Sequence, residues 1–324
     1  MAVIELISQN ETKERKGIGR FIHKNLHAIV RDRFLLFLLL PGLIYFIIFC
    51  YVPMYGVVLA FKDYDPTPGV GILGSPWAGL KYYKMIFATP MIWKVLFNTL
   101  KFSLSRILFG FPAPIIFALL LNEIKNVRFK KVTQTISYLP YFLSWVVISG
   151  LLFQVLSPSY GLYGLITDFL GVKPVVLLAK KTSFYVVIIL SDIWKNVGYG
   201  SIIYIAAMAG ISPELYEAAK MDGAGRLRQA LSITLPSIIP TITILFILQM
   251  GQTLNGGFDQ IFNLMNQAVI DSADIIDTYV YRRGLEKFEF SYSTAVNLLK
   301  NVIGFGLVVF TNWIVSKFSE STLW

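Results

Sequence analysis

Arg106, Asp192, Lys195 and Lys300 stand within stretches of sequence that are otherwise apolar. An ionised side chain in hydrocarbon is costly unless it is paired or wet, so residues of this kind mark structural ion pairs or a hydrated path. Asp192 and Lys195 are three apart and could neutralise one another along one helix. The functional alternative is a water-filled cavity. Trp194, Asn196 and Tyr199 accompany that pair, Gln249, Gln252 and Asn255 share a later apolar stretch, and Asn297, Lys300 and Asn301 share the last. Amides exchange water for sugar hydroxyls, and aromatic faces stack on sugar rings. Arg106, Gln249 and Lys300 fall at a similar depth on separate stretches, which a common wet cavity explains better than separate accidents. Three cations, Arg106, Lys195 and Lys300, against the single carboxylate of Asp192 predict a solute bearing carboxylates. A neutral sugar could use the same amides and rings, with the cations bound to Asp192 or to a partner protein. Lys101 lies nearer the outer surface and could snorkel to it.

Other chemistries lack their residues. The sequence has no Gly-Lys dipeptide, hence no phosphate-cradling loop of its own, and no H-E-x-x-H or G-x-S-x-G. His23 and His27, four apart, are the only histidines and lack a Cys or carboxylate cluster, so no metal is expected. Cys50 is the single cysteine and forms no intrachain disulfide. A membrane-embedded glycosyltransferase would need clustered acidic or histidine groups at one interface.

The elements that must position these residues follow from composition. Of 324 residues 55% are hydrophobic and 15% charged, and the mean hydropathy is +0.62, which points to a membrane solvent. Six continuous apolar runs, each near the ~20 residues a helix needs to cross hydrocarbon, lie near 34–60, 95–121, 135–156, 182–206, 236–256 and 294–316. Continuous runs indicate helices, not the alternating strands of a barrel. The fold expected is an all-α integral membrane protein, with a transmembrane domain at 34–316, an N-terminal tail at 1–33 and a short C-terminus at 317–324. Seven Lys and Arg in the tail and four in the 122–134 loop predict that both termini and the 207–235 loop are cytoplasmic. Residues 17–33 carry apolar side chains at helical spacing between basic ones, as in a helix lying on the inner leaflet. Trp77, Tyr82, Tyr83, Phe87 and Trp93 in the first outer loop suit an interfacial belt or a platform for sugar rings.

Between the fourth and fifth runs the chain reads Ile211 to Gly223 as ISPELYEAAKMDG. Ser212 is a good N-cap, Pro213 fits the first helical position and Gly223 fits a left-handed stop, which predicts a helix over 213–222. Glu217, Ala218, Ala219, Gly223, Ile233, Leu235 and Pro236 together spell E-A-A, three residues, G, nine residues, I-x-L-P. That pattern resembles the signature of the permeases of binding-protein-dependent ABC importers. Pro41–Phe46, Pro53–Gly56, Asn98–Leu100, Gln134–Pro140, Ser191–Lys195 and Asp277–Tyr281 are similar to the polysaccharide-type permeases of the carbohydrate importer group, including those for alginate oligosaccharides. The resemblance implies a six-span type I importer permease in a bacterial inner membrane. It further implies that Glu214, Glu217, Ala218, Ala219, Asp222 and Gly223 belong to a cytoplasmic coupling helix. The implied partners are a second homologous permease, an ATPase dimer, an extracytoplasmic solute-binding protein, an oligosaccharide and the lipid bilayer, with no nucleic acid. ATP and Mg would be bound by the ATPase, and this chain would hold no cofactor. The rival reading from span number alone is half of a secondary transporter.

Overall fold

The computed structural model describes residues 33–67 and 70–317, and no strand occurs among them, only an isolated antiparallel bridge between Lys62 and Trp77. The tail helix expected over 17–33, both histidines and the last residues of the C-terminus lie outside the described residues. The chain divides into one unit ending at Val58 and another beginning at Leu59.

The first unit is most of the helix Arg33–Phe61, which is long and apolar enough to cross a membrane. Pro53 has no amide to return to the preceding turn, and the ladder widens into a π-turn over Ile47–Tyr51, closed by the Val52 N–H donating to the Ile47 carbonyl.

In the second unit four uninterrupted helices have that length: Pro90–Asn122, Lys181–Ala209, Arg226–Gly251 and Phe290–Val315, here the second, fourth, fifth and sixth spans. Prolines shape two of them in the same way. A π-turn at Arg106–Gly110 precedes Pro112, with the Phe111 N–H donating to the Arg106 carbonyl at 2.8 Å. Another at Ala230–Thr234 precedes Pro236. The fifth span therefore continues a helix that starts at Arg226, ahead of the apolar run expected from 236.

The third run departs from expectation. A single helix over 135–156 is expected, but Val127–Phe142 and Trp145–Val155 meet at 104°. Pro140 tightens the first segment into a 3-10 turn, Leu143 is extended, and Ser144 starts the second segment by accepting from the Val147 N–H at 3.3 Å. A helix end inside a membrane leaves carbonyls without partners. Here the Lys195 ammonium takes them, donating to Pro140 at 3.3 Å, to Tyr141 at 2.9 Å and to Leu143.

Two buried clusters bracket the middle of this unit. One packs Phe102 of the second span and Phe184 and Ile188 of the fourth against Ile261, Leu264 and Val269 of the segment after the fifth. The other joins Ile115, Ala118, Tyr204, Met208 and Ile238 nearer the far ends of the second, fourth and fifth spans.

Candidate functional site

Between those clusters lies a cavity of about 450 Å³, lined by Arg106, Gly110, Phe111 and Pro114 of the second span, Asp192, Asn196, Gly200, Ile203 and Tyr204 of the fourth, and Leu245, Leu248, Gln249 and Gln252 of the fifth or its end. The helices explain how polar groups converge there. The π-turn at Arg106 widens the backbone where the guanidinium leaves it, and Gly200 admits the Pro114 ring so closely that an added Cβ would meet its Cγ at 3.1 Å. Asp192 and Asn196 are one turn apart, and Asn196 Nδ2 donates to the Asp192 carboxylate at 3.1 Å and to its carbonyl at 3.0 Å.

Arg106 forms the roof. Its Nη2 donates to Gln260 Oε1 at 2.6 Å, and its Nε stands 3.7 Å from Asp192 Oδ2 with no hydrogen-bond acceptor. Gln260 is fully buried and held from the other side, its Nε2 donating to the Ile188 carbonyl at 2.7 Å and to Ser191 Oγ at 2.9 Å. Gly257, in the left-handed region at φ +81°, brings its backbone so near the guanidinium that any Cβ would occupy the same space. The second span, the fourth span and the segment starting at Gly257 thus meet on one cation. From this roof the lining residues run along the fourth span toward the end that continues into Pro213–Met221.

Arg106, Asp192, Asn196, Gln249 and Gln252 are the sequence-selected residues that the fold brings together. The others stand elsewhere. Lys195 is buried at the elbow of the third span, with its ammonium 5.6 Å from the Tyr141 ring centre and 5.5 Å from that of Trp145. The alternative Asp192–Lys195 pair is absent among the described ion pairs, because the Lys195 ammonium is drawn to the elbow carbonyls and Asp192 stands nearer Arg106. Tyr199 stacks on Tyr141 at 3.8 Å, and Trp194 is exposed. Lys300 is buried and paired with Asp277, and it donates to Asn255 Oδ1 at 2.9 Å. Asn255 in turn donates to Gln252, so Lys300 reaches the cavity wall through a chain of polar groups. Asn297 and Asn301 face outward on the sixth span. In the loop after the first span Trp77 stacks on Phe61 at 5.9 Å, while Tyr82 is buried and Trp93 exposed.

Gln260, Gly257 and Tyr204 were not singled out by sequence. Gln260 stood in a segment read as an outer loop, where an amide carries no signal.

The helix predicted at 213–222 runs from Pro213 to Met221, with Ser212 accepting from the Glu214 N–H at 3.4 Å and Gly223 at φ +75°. Glu214, Glu217, Ala218, Asp222 and Gly223 are exposed and Ala219 is half-buried. Leu215 and Met221 are also exposed, which leaves an apolar and acidic face uncovered. The Tyr216 hydroxyl meets Thr234 Oγ1 at 2.9 Å, tying this helix to the start of the fifth span. The Arg226–Glu123 pair, 4.0 Å apart and open to water, adds little.

Residues 110–278 match the family described as "Binding-protein-dependent transport system inner membrane component". The chain is 45% identical over 299 residues to the polygalacturonan/rhamnogalacturonan transport system permease protein YteP of Bacillus subtilis, covering 92% of each. It is 43% identical over 296 residues to protein LplB of the same organism, covering 91% of this chain and 92% of that one. Among solved structures, a chain of a bacterial ABC transporter involved in import of the acidic polysaccharide alginate superposes with TM-score 0.84 at 37% identity, over 92% of this chain and all of that one. A second, from the alginate transporter in complex with its alginate pentasaccharide-bound periplasmic protein, gives TM-score 0.83 at 36% identity, over 91% of this chain and 98% of that one.

Proposed function

The chain belongs to the inner membrane components of binding-protein-dependent transport systems, as a multi-pass permease of the sugar ABC importer class, and from that premise we propose that it passes carboxylate-bearing oligosaccharides through the cavity beneath Arg106. The observation that carries this reading is the guanidinium in the roof, whose Nε has an unmatched donor and only a 3.7 Å approach to Asp192. A sugar carboxylate offers the planar acceptor that a guanidinium prefers. Asn196, Gln249 and Gln252 present amides to hydroxyls below it. The names of YteP and of the alginate transporter point to acidic polymers in related proteins.

In this scheme both termini are cytoplasmic, and the loops at 61–94, 157–181 and 257–293 face outward. The cavity under Arg106 is then the inward half of an alternating-access path, and the meeting of Arg106, Gln260 and Gly257 closes it from outside. Pro213–Met221 docks into an ATPase of a separate dimer that binds ATP and Mg, with Glu217 and the face of Leu215 and Met221 as contacts. Tyr216 passes the motion to the fifth span. A second permease supplies the remaining wall, and an extracytoplasmic binding protein delivers the solute. Lys195 and Lys300 belong to the frame in this scheme, since both ammonium groups are already engaged.

The test is uptake by the full complex in liposomes, comparing trigalacturonate with a neutral trisaccharide. Arg106→Gln is expected to lower trigalacturonate uptake by roughly tenfold or more, the scale of one charge-assisted contact. Equal use of both sugars, unaltered in Arg106→Gln, means that the solute is neutral and Arg106 only closes the roof. In the same preparation Gly223→Trp is expected to release the ATPase, and normal ATPase retention with normal uptake rules out the coupling role.

A further inference from the structure

A second polar cavity, of about 350 Å³, lies apart from the first and is lined by Thr89, Met91, Tyr279, Arg282, Arg283 and Lys287. Thr89 precedes the second span and Lys287 precedes the sixth, so the cavity sits at the end of these helices that the proposed topology turns outward. Its residues lie outside 110–278, the part shared with the family at large, apart from their support by Asp274.

The turn that carries the cations is held firmly. Arg282 pairs through Nη2 with the fully buried Asp274, whose other oxygen accepts from Thr278 Oγ1 at 2.6 Å. Arg283 pairs with Glu289 at 3.0 Å and lies over the Tyr292 ring, 4.9 Å from its centre. The Lys287 N–H donates to the Arg282 carbonyl at 3.1 Å, and Phe288 at φ +59° turns the chain so that the Glu289 N–H reaches the Arg283 carbonyl at 2.9 Å.

The charges do not close. Arg282 and Arg283 are met by Asp274 and Glu289, but Lys287 is exposed and has no ion pair or hydrogen bond from its ammonium among the described residues. Arg282 Nη1 is buried and lacks an acceptor. Glu286 is exposed and does not line the cavity. Three cations, Arg282, Arg283 and Lys287, against the two carboxylates of Asp274 and Glu289 leave the lining with an excess positive charge that suits an anion. The volume is near the lower end of the ~300–1,000 Å³ typical of ligand pockets, which suits one terminal sugar unit.

We infer that Arg282 and Lys287, on the rigid turn that Arg283 braces, form an entry site that takes a uronate carboxylate before it reaches Arg106. This rests on the acidic-solute reading above and assigns that reading a second position. The site acts on capture, not on passage, because its cations are near the start of the sixth span and not among the residues of the inner cavity.

Lys287 makes no contact that folding requires, so its variants isolate the effect. With the full complex in phosphatidylcholine liposomes, Lys287→Glu is expected to raise the half-saturating concentration for trigalacturonate uptake roughly tenfold and leave the maximal rate unchanged. Lys287→Arg is expected to behave as the unaltered protein. Unchanged half-saturation in Lys287→Glu, with uptake otherwise normal, overturns the entry site and leaves the acidic-solute reading intact. Failure of the unaltered complex to import trigalacturonate removes that reading and the entry site with it. If Lys287→Glu weakens docking of the sugar-free binding protein by the same factor, the cluster is a protein-docking surface and the inference is wrong.

Discussion

Asp192 and Lys195 lie within one turn of the same span, yet they belong to different parts of the molecule. Asp192 opens into the cavity beside Arg106, while Lys195 is buried behind it, closing the broken end of the third span. Both are intramembrane charges, and from depth alone they are equivalent. Their partners differ in kind. Asp192 has an exchangeable approach of 3.7 Å to a guanidinium, whereas Lys195 donates to the Pro140, Tyr141 and Leu143 carbonyls at the break in the third span. A cation that bonds the carbonyls of a helix break is part of the fold, and a loosely matched ion pair on a cavity wall is free to exchange its partner.

The sharpest way to break this comparison is to remove each charge in turn. Lys195→Met keeps the apolar stem but removes the donor to the Tyr141 and Leu143 carbonyls, while Pro140 keeps its bond from the Leu143 N–H at 3.2 Å, and each group left unsatisfied costs about 1–3 kcal/mol. The purified complex in detergent is expected to melt markedly lower and to lose its partner subunits. Asp192→Asn keeps the shape and the Asn196 contact and is expected to change uptake with little change in melting temperature. If Lys195→Met melts normally, the elbow does not depend on the lysine, and the division between the two faces fails.

Glycines extend the same contrast with a smaller effect. Gly198 faces the elbow, where a Cβ would run into the Ser137 backbone carbonyl, while Gly200 faces the cavity, where it would meet only the Pro114 ring at 3.1 Å. A backbone carbonyl inside a helix cannot step aside, but a proline ring can pucker. Gly198→Ala is expected to lower the melting temperature of the complex, by an amount below that of Lys195→Met. Gly200→Ala is expected to slow uptake of longer oligomers by narrowing the cavity, with stability retained. Equal melting temperatures for both variants would remove the distinction.

What the sequence made legible follows from how local each signal is. Apolar runs report a helix and its solvent directly, so the fourth span, Lys181–Ala209, lies where the run at 182–206 predicts it. Ser212, Pro213 and Gly223 act on their own neighbours, which is why the helix between them was readable to within a residue. The bend in the third span was not readable, since Pro140 signals only a kink, and the 104° break is stabilised by a lysine more than 50 residues away. Polar residues in the spans were recognised as special but not sorted. Arg106 finds Gln260 across 154 residues and Lys300 finds Asp277 across a loop, and such pairings are decided by packing. Trp194, Asn297 and Asn301 are exposed on this chain, as a hydropathy pattern without helix phase could not reveal.

The smallest effect belongs to an ion pair that water reaches. Asp63, in the loop after the first span, accepts from the Lys81 ammonium and from the Tyr82 hydroxyl, each at 2.5 Å. The bond from Lys81 first, and that from Tyr82 next, hold its carboxyl below the ordinary aspartate value of 3.8. A carboxyl lowered by folding stabilises the folded loop at pH above its unfolded value, and that contribution is lost as pH falls through the folded one. Both partners are about half exposed, at 55% and 46%, so screening keeps the contribution small. Amide exchange over residues 61–83, corrected for intrinsic rates, is expected to be flat from pH 7 to pH 5 and to quicken severalfold only below the ordinary aspartate range. Asp63→Asn is expected to show the quicker exchange at all pH values and to lose the acid dependence. Added salt should narrow the difference between the two proteins, as it would not for Lys195 in its dry elbow. An acid transition that persists in Asp63→Asn would assign it to another carboxylate. A salt response at the elbow as large as that of the loop would mean that water reaches Lys195 as well.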